Sequence, residues 1–240
     1  MTNKPFLSVV LPCRNQADHI GRVLERYFTP LDGIGRPYEL VVVPNASTDG
    51  TNDVVRRIAA ADSRVTMVEN PQGGWGRSVL CGLRSARGDL LCYTNSARTD
   101  PRHVVELLAL YEAHAPCLAK VRRANRHAPL REIGSLLYNL EGRLLFGVES
   151  RDVNGTPKIF SRQLFEALRL ESEGDLIDME CIARARQVGV KLVELPVQGF
   201  QRHGGKSSTT FKSAWNMYAG AWRLSRKLAS TRQAPPRKVA

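Results

Sequence analysis

Short apolar runs alternate with segments of helical spacing through the first hundred residues. The apolar runs cover residues 6–11, 38–43, 64–68 and 89–94. Between the first two, Ile20, Val23, Leu24 and Tyr27 recur at the spacing of one helix face. Strands that are apolar throughout are typical of a parallel sheet whose two faces are both covered by helices. The alternation therefore predicts an α/β fold with a Rossmann-like, mostly parallel sheet flanked by helices.

The second half continues with mixed elements. We predict helices over residues 130–145, 163–170, 178–188 and 211–229, and strands over 157–162 and 191–197. In open parallel sheets, ligands bind beyond the carboxyl ends of the strands. The segments to search for a site are accordingly residues 13–16, 44–49, 70–77 and 95–100.

Positive charge is concentrated at the end of the chain. The 240 residues carry a formal net charge of +12, and residues 201–240 contain nine Lys or Arg and no Asp or Glu. A near-neutral body with a basic end indicates an anionic partner, which charge alone leaves open among a membrane face, a nucleic acid and a phosphate-bearing ligand. No aromatic-interleaved basic pattern favours a nucleic acid, so we predict none.

Cysteine usage and hydropathy indicate the compartment. The five cysteines include no CxxC pair, which favours reduced thiols in a cytosolic protein. The best candidate for a membrane span, residues 133–147, is interrupted by Asn139, Glu141 and Arg143. We expect a cytoplasmic protein that does not cross a membrane by itself, with peripheral attachment to the inner face as a further option.

Six sequence blocks, in order, resemble those of a known family. They are VVLPCRNQADHI, VVVPNASTDGT, GGWGRSVLCGLRSARGD, TNSARTDP, DVNGTPKIFSR and ECIARARQVGVKLVELPVQGFQRHGGKS. Over residues 5–212 the chain resembles family 2 glycosyltransferases, and within them the dolichol- or polyprenyl-phosphate mannose or glucose synthases. Several blocks at the right spacing are more specific than one glycine-rich match. The resemblance implies a GT-A fold, a nucleotide diphosphate sugar as donor and a lipid phosphate as acceptor.

The resemblance also divides the chain. We predict a GT-A glycosyltransferase-like domain over residues 1–210, a basic amphipathic helix over 211–229 and a disordered basic tail over 230–240. Its functional positions fall into three groups. For the nucleotide sugar they are Pro12, Arg14, Gln16, Asn45, Gly74, Asn95, Ala97 and Arg122. For the acceptor they are Lys158, Asp178, Glu180 and Ser207, and for catalysis Arg202, Lys206 and Asp152.

The chain departs from the family at its carboxylates. In the family, acidic residues at the positions of Pro44 and Asn45 bind the base and ribose of the nucleotide. Asn95 and Ala97 likewise replace the carboxylates of the family's DxD motif. Mg²⁺ or Mn²⁺ is expected of the family, but a hard cation needs anionic oxygens, so we predict no metal site. Asp100, just before Pro101, is interpreted as a helix cap.

Two interpretations follow from these departures. In the first, the transferase is active without metal, because cations such as Arg14, Arg122 or Arg123, Lys158, Arg202 and Lys206 neutralise the diphosphate. In the second, the protein is a pseudoenzyme that binds a nucleotide or a partner. Several residues of the second half also have a structural alternative. Asp152 is typical of a turn, Asp178 and Glu180 of a first helical turn, and residues 202–207 of a solvated basic loop.

Aromatic residues form a stripe on the final helix. Phe211, Trp215, Tyr218 and Trp222 recur at helical spacing, with basic residues around them. This pattern is typical of a helix lying in a membrane interface, and an anionic membrane surface is the partner that we predict for residues 211–240. The alternative is that the stripe packs on the domain. Trp75, in the glycine-rich turn, similarly stacks on a base or packs on the sheet.

Overall fold

A computed structural model describes residues 4–124, 129–198 and 211–231. Its strands are β1 (Leu7–Cys13), β2 (Tyr38–Pro44), β3 (Val65–Met67), β4 (Leu90–Tyr93), β5 (Cys117–Ala124), β6 (Lys158–Ser161) and β7 (Lys191–Gln198). Its helices are α1 (Ile20–Asp32), α2 (Thr51–Ala61), α3 (Trp75–Ser85), α4 (Arg102–His114), α5 (Pro129–Phe146), α6 (Arg162–Leu168), α7 (Ile177–Gln187) and α8 (Phe211–Thr231). The predicted α/β class is confirmed.

The strands form one sheet in the order β3-β2-β1-β4-β6-β5-β7. Strands β1, β2, β3 and β4 run parallel, and β5 and β7 share their direction because β6 is antiparallel to both β4 and β5. The carboxyl ends of six strands therefore meet at one edge. The amino end of β6, at Lys158, lies at the same edge.

Helices cover both faces of the sheet. Along β1, Val9 and Leu11 belong to a core cluster that includes residues of α1, α2 and α4. Val10 points to the opposite cluster, which gathers residues of α3 and α5–α8. Alternate side chains of one strand are thus buried on opposite faces, which explains why the strand is buried at every position and mostly apolar.

The apolar runs at residues 6–11 and 38–43 each stop before a proline, and the strand ends that they imply are wrong. β1 continues through Pro12 and β2 includes Pro44. A proline fits in a strand where no neighbour needs its missing N–H. Pro12 follows the last residue of β1 that pairs with β4, Val10, and its carbonyl accepts from the Ser96 hydroxyl instead. Pro44 likewise lies beyond the end of β3.

Strand β5 was not foreseen from the sequence. Its residues CLAKVRRA place a lysine and two arginines in the run, which hides the apolar pattern of a buried strand. The strand nevertheless pairs with β7 along its whole length, from Cys117 beside Lys191 to Ala124 beside Gln198. Lys120 is fully buried within it. This strand brings Lys120, Arg122 and Arg123 to the edge where the other strands end.

Helix α8 is part of the same core. Ala221, Leu224 and Leu228 are buried against α5 and α7. Tyr218 donates a hydrogen bond to the carbonyl of Gly134, whereas Trp222 remains 49% exposed. The stripe therefore packs on the domain at Tyr218, and the side chains of Phe211 and Trp215 lie outside the described residues. The helix ends at Thr231, two residues past the predicted bound, and residues 232–240 lie outside the described part of the chain.

Two further properties concern the helices and the cysteines. None of the helices among the described residues is long and apolar enough to cross a bilayer. All five cysteines are free thiols, in agreement with the interpretation of their spacing.

Candidate active site at the carboxyl edge of the sheet

The sheet topology collects the residues expected at the nucleotide sugar. They follow β1, β2 and β4, precede α3 or end β5, and so lie along one edge. This edge is where ligands bind in open α/β sheets. We call the region around the ends of β1–β4 the donor side and the region around β5, β6 and α7 the acceptor side, after the roles that the resemblance implies for their residues.

Gln16 and Ser96 connect the loops after β1 and β4. Gln16 is buried, and its amide nitrogen lies 3.1 Å from the Ser96 hydroxyl, which donates in turn to the Pro12 carbonyl. The backbone N–H of Gln16 donates to Thr51, at the start of α2. Gln16 is therefore held by three elements, and its position is fixed by the fold.

An open cleft lies beyond the end of β2. Its volume is about 230 Å³, and its walls are Pro44, Ala46, Ser47, Thr48, Asn52, Asn70 and Pro71. Asn45 accepts a long hydrogen bond of 3.4 Å from Asn70, whose amide also donates to Ser78. Ala46 has a φ of +45°, a backbone conformation that residues other than glycine rarely adopt. Such strained residues often occur in functional loops. The cleft stands where the resemblance places the nucleoside.

The residues at the DxD position do not fit a divalent cation. The side-chain oxygen of Asn95 already accepts from the backbone N–H of Ala97, and Ala97 is buried without a donor atom of its own. Ser96 faces Pro12 and Gln16. Within residues 4–124, 129–198 and 211–231, no three His, Cys, Asp or Glu side chains converge on a point. A hard cation needs anionic oxygen ligands, whereas Asn95 and Ser96 are neutral and already hydrogen-bonded to other groups of the protein.

Asp100 has a structural task. Its carboxylate accepts from the backbone N–H of Arg102, at the start of α4, and pairs with the guanidinium of the same residue. These hydrogen bonds lower the pKa of Asp100. The geometry supports the capping interpretation.

On the acceptor side, the carboxylate of Asp178 contacts three side chains. It accepts from Trp75 at 3.2 Å and from Tyr93 at 2.9 Å, and it pairs with the buried ammonium of Lys158. Trp75 begins α3, Tyr93 ends β4 and Lys158 begins β6. The structure thus brings together Lys158 and Asp178, both expected at the acceptor, as one buried ion pair. The Trp75 indole packs in the core next to it.

Glu180 holds the loop that faces the glycine-rich turn. Its carboxylate accepts from the backbone N–H groups of Glu171 and Ser172 and pairs with Arg184. The carbonyl of Glu173 in that loop would lie 2.8 Å from a Cβ on Gly74, where φ is +104°. Both facts explain the glycine at position 74. Glu180 therefore supports the donor-side turn from behind.

Lys120 is a second buried ammonium that the sequence did not reveal. It donates to the carbonyls of Val121 and Asp152 and pairs with Glu194 at 3.1 Å. Burial, together with the positive charge of Lys158, lowers the pKa of Lys120 to about 8. The one sequence signal that could have identified Lys120 is the position of a lysine inside the run CLAKV.

Asp152 is paired with Arg123. The guanidinium reaches both carboxylate oxygens at 2.8 Å, and the backbone N–H of Arg123 donates as well. Burial acts against the charged guanidinium, but the hydrogen bonds to Asp152 raise the pKa of Arg123 overall. The pair joins the loop after α5 to the end of β5. Asp152 thereby fixes the position of an arginine at the edge.

The remaining predicted cations differ in how far they are engaged. Arg14 is exposed and, in the part of the chain that the structure describes, forms no ion pair. Arg122 lies 3.9 Å from Glu194, a long contact. Arg202, Lys206 and Ser207 lie outside the described residues, and their roles stay predictions.

Comparison with known proteins connects this site to a family. The family model described as Glycosyl transferase family 2 matches residues 8–169. An undecaprenyl-phosphate 4-deoxy-4-formamido-L-arabinose transferase from Shewanella sediminis is 26% identical over 204 residues, which cover 84% of this chain and 57% of the relative. The glycosyltransferase AglD from Haloferax volcanii is 31% identical over 206 residues, 80% of this chain and 32% of the relative. This chain spans less than two thirds of either relative.

Solved structures share the fold. Glucosyl-3-phosphoglycerate synthase from Mycobacterium tuberculosis, in complex with Mn²⁺, UDP and phosphoglyceric acid, matches with a TM-score of 0.69 and 20% identity over 96% of this chain and 80% of its own. Mannosyltransferase PcManGT from Pyrobaculum calidifontis, in complex with GDP-Man and Mn²⁺, gives 0.58 and 20% over 98% and 66%. The predicted GT-A architecture is confirmed.

Proposed function

Because this chain belongs to glycosyltransferase family 2, we propose that it transfers a hexose from a nucleotide diphosphate sugar to a polyprenyl phosphate or a related acceptor. The observation that carries the proposal is the meeting of the donor loops and the acceptor-side residues at one edge of the sheet. The relatives named above as a polyprenyl-phosphate sugar transferase and a glycosyltransferase support the same chemistry. Attachment through residues 211–240 to the inner face of a membrane would bring the protein to a lipid acceptor.

The reaction needs positioning and charge neutralisation more than proton transfer. A phosphate oxygen of the acceptor, ionised at pH 7, attacks the anomeric carbon from the face opposite the diphosphate. The bond from that carbon to the diphosphate oxygen breaks, the nucleotide leaves with the electron pair, and the configuration inverts. No general base is required, so Asp152 serves the reaction by positioning Arg123.

Cations of the chain neutralise the leaving group in this proposal. Arg14 is exposed at the end of β1, and its planar guanidinium can bind two phosphate oxygens at once. Arg122 lies at the end of β5, and Arg202 and Lys206 are the cations expected from the basic loop. Lys158 and Lys120 are buried and paired, so they hold the acceptor side rather than bind phosphate.

The proposal is tested by transfer from GDP- and UDP-sugars to a short, water-dispersed polyprenyl phosphate, with EDTA and with Mn²⁺. We expect glycolipid in both conditions. Arg14→Ala should lose about ten- to a hundredfold in turnover or nucleotide affinity, since a charge-assisted hydrogen bond contributes ~1.5–3 kcal/mol. Arg22→Ala, an exposed arginine on α1, is the matched control and should leave both unchanged. No product from any donor, with or without metal, contradicts the proposal.

A second candidate is the pseudoenzyme, favoured by the DxD position. Asn95 and Ala97 offer no anionic ligand, and removing a Lewis acid from a site built around it lowers transition-state stabilisation by several kcal/mol. Nucleotide binding without transfer to any acceptor would establish this candidate instead.

A further inference from the structure

The large hydrophobic side chains that are exposed among the described residues all lie on two helices. They are Leu136, Leu137, Leu140 and Leu144 of α5 and Trp222 of α8, with exposed fractions between 49% and 77%. At helical spacing the four leucines share one face of α5, and α5 packs directly against α8. We call these five residues the leucine face. Exposed apolar side chains gathered on one surface mark an interaction site more often than a chance distribution.

The leucine face is not needed for the core. The opposite side of α5 buries Tyr138 and Phe146, and a Cβ on Gly142 would lie 2.8 Å from the Met179 side chain. The Tyr138 ring meets Tyr218 of α8 edge to face, with centroids 5.7 Å apart. Packing of α5 on the domain is therefore complete without the leucines.

Helix α5 also contacts the acceptor side of the site. The Asn139 amide donates to the carbonyl of Arg151 at 2.7 Å, and its oxygen accepts from the N–H of Val153 at 3.1 Å. Between these two residues lies Asp152, which binds Arg123 at the end of β5. Asn139, which orders the acceptor-side loop, is thus the sequence neighbour of Leu140 in the leucine face.

Exposed basic side chains lie on the same two helices as the leucine face. Arg143 on α5 and Arg223 and Arg226 on α8 are exposed, and the Arg226 guanidinium lies 3.6 Å from the centre of the Trp222 ring. Residues 211–240 contain seven Lys or Arg and no Asp or Glu. An apolar face with a tryptophan and a cationic margin is complementary to the headgroup region of an anionic bilayer.

We propose that the leucine face is a docking surface for an anionic membrane, entered by α5 as well as by α8. Resting on the proposed function, this docking would turn the acceptor side toward a lipid phosphate. The surface itself recognises acidic headgroups through arginine and acyl chains through leucine. It needs neither a nucleotide nor a polyprenyl phosphate.

The test is co-sedimentation of the full chain with vesicles of phosphatidylcholine and phosphatidylglycerol, and with phosphatidylcholine alone. We expect partition to the anionic vesicles, reduced at least about tenfold by Leu140→Gln/Leu144→Gln. Ala109→Gln/Ala113→Gln introduces glutamine at the same spacing on the exposed side of α4, and should bind like the unaltered chain. Urea denaturation checks that both variants are folded.

Three outcomes overturn the inference. They are equal partition of the leucine variant, equal partition to neutral and anionic vesicles, and a dimer that the leucine variant dissociates in sedimentation velocity. The last would make the face an interface between copies. Because the vesicles hold no glycosyl acceptor, a failure here is separate from a failure of transfer to the water-dispersed acceptor.

Discussion

Asp178 accepts hydrogen bonds from side chains of three different elements. Trp75, Tyr93 and Lys158 all donate to it, and both Lys158 and Asp178 are almost fully removed from solvent. A buried carboxylate is stable only when its charge is matched and its oxygens are hydrogen-bonded. The pair therefore links the turn before α3, the end of β4 and the start of α7 into one rigid unit.

Breaking this pair should destabilise the whole protein. Lys158→Met leaves an uncompensated buried carboxylate, and we expect the free energy of unfolding to fall by ~3–5 kcal/mol. Adding Asp178→Asn should recover part of the loss, because the remaining charge is removed. Urea denaturation measures both. Lys4→Met, which removes an exposed partner of Asp89, is the control and should cost less than about 1 kcal/mol. A similar, small loss in Lys158→Met and Lys4→Met would show that the buried pair contributes little.

At this scale the sequence identified residues but not their contacts. Lys158 and Asp178 were selected from motif positions, yet their pairing depends on α7 packing beneath β6, which no local pattern reveals. Lys120 was missed because a buried lysine contradicts the pattern of a buried strand. It is stable there because two backbone carbonyls and the Glu194 carboxylate accept hydrogen bonds from its ammonium group.

The loop between β4 and α4 holds its shape through hydrogen bonds between its own atoms. Its first turn is closed by Asn95, whose side-chain oxygen accepts from Ala97, and its end is closed by Asp100, which caps α4. A loop whose polar atoms satisfy one another does not need a cation to hold its shape. Asn95 and Asp100 thus both serve the shape of this loop.

Nucleotide binding should consequently be almost independent of metal. In calorimetric titration of GDP and UDP, we expect Mn²⁺ to strengthen binding by less than about tenfold, or ~1.4 kcal/mol. Asn95→Asp keeps the acceptor for the Ala97 N–H and restores one anionic oxygen, so its affinity should respond to Mn²⁺ more than that of the unaltered chain. A large Mn²⁺ effect in the unaltered chain would reveal another set of ligands.

Elements were predictable where one pattern dominates. The four apolar runs became strands β1–β4, and every residue of β1, β2 and β4 is buried. The ends of β1 and β2 were not predictable, because Pro12 is tolerated only beyond the last residue of β1 that pairs with β4, and Pro44 only beyond the end of β3. That condition is set by the register between strands, which is a property of the sheet and not of either run.

The whole molecule is organised around contact between its two halves. The glycine-rich turn before α3, from the first half, lies against residues 172–174, from the second. Arg77 adds an ion pair with Glu173 across the same contact. The donor cleft and the acceptor-side residues keep their relative positions through this contact, so it should affect nucleotide binding and stability together.

Gly76 gives the sharpest test of that coupling. A Cβ at this position would collide with the carbonyls of Ser172 and Gly174, backbone atoms that cannot rotate away. Gly76→Ala should therefore lower the free energy of unfolding by ~1–3 kcal/mol and weaken nucleotide binding, because the turn must move from the loop that supports it. Gly174→Ala lies in the same contact but has nothing within 4 Å of its Cβ, so it is the matched control. Urea denaturation and calorimetric titration measure the two effects. If Gly76→Ala resembles Gly174→Ala in both, the halves are not held together at this turn, and the donor side is supported from elsewhere.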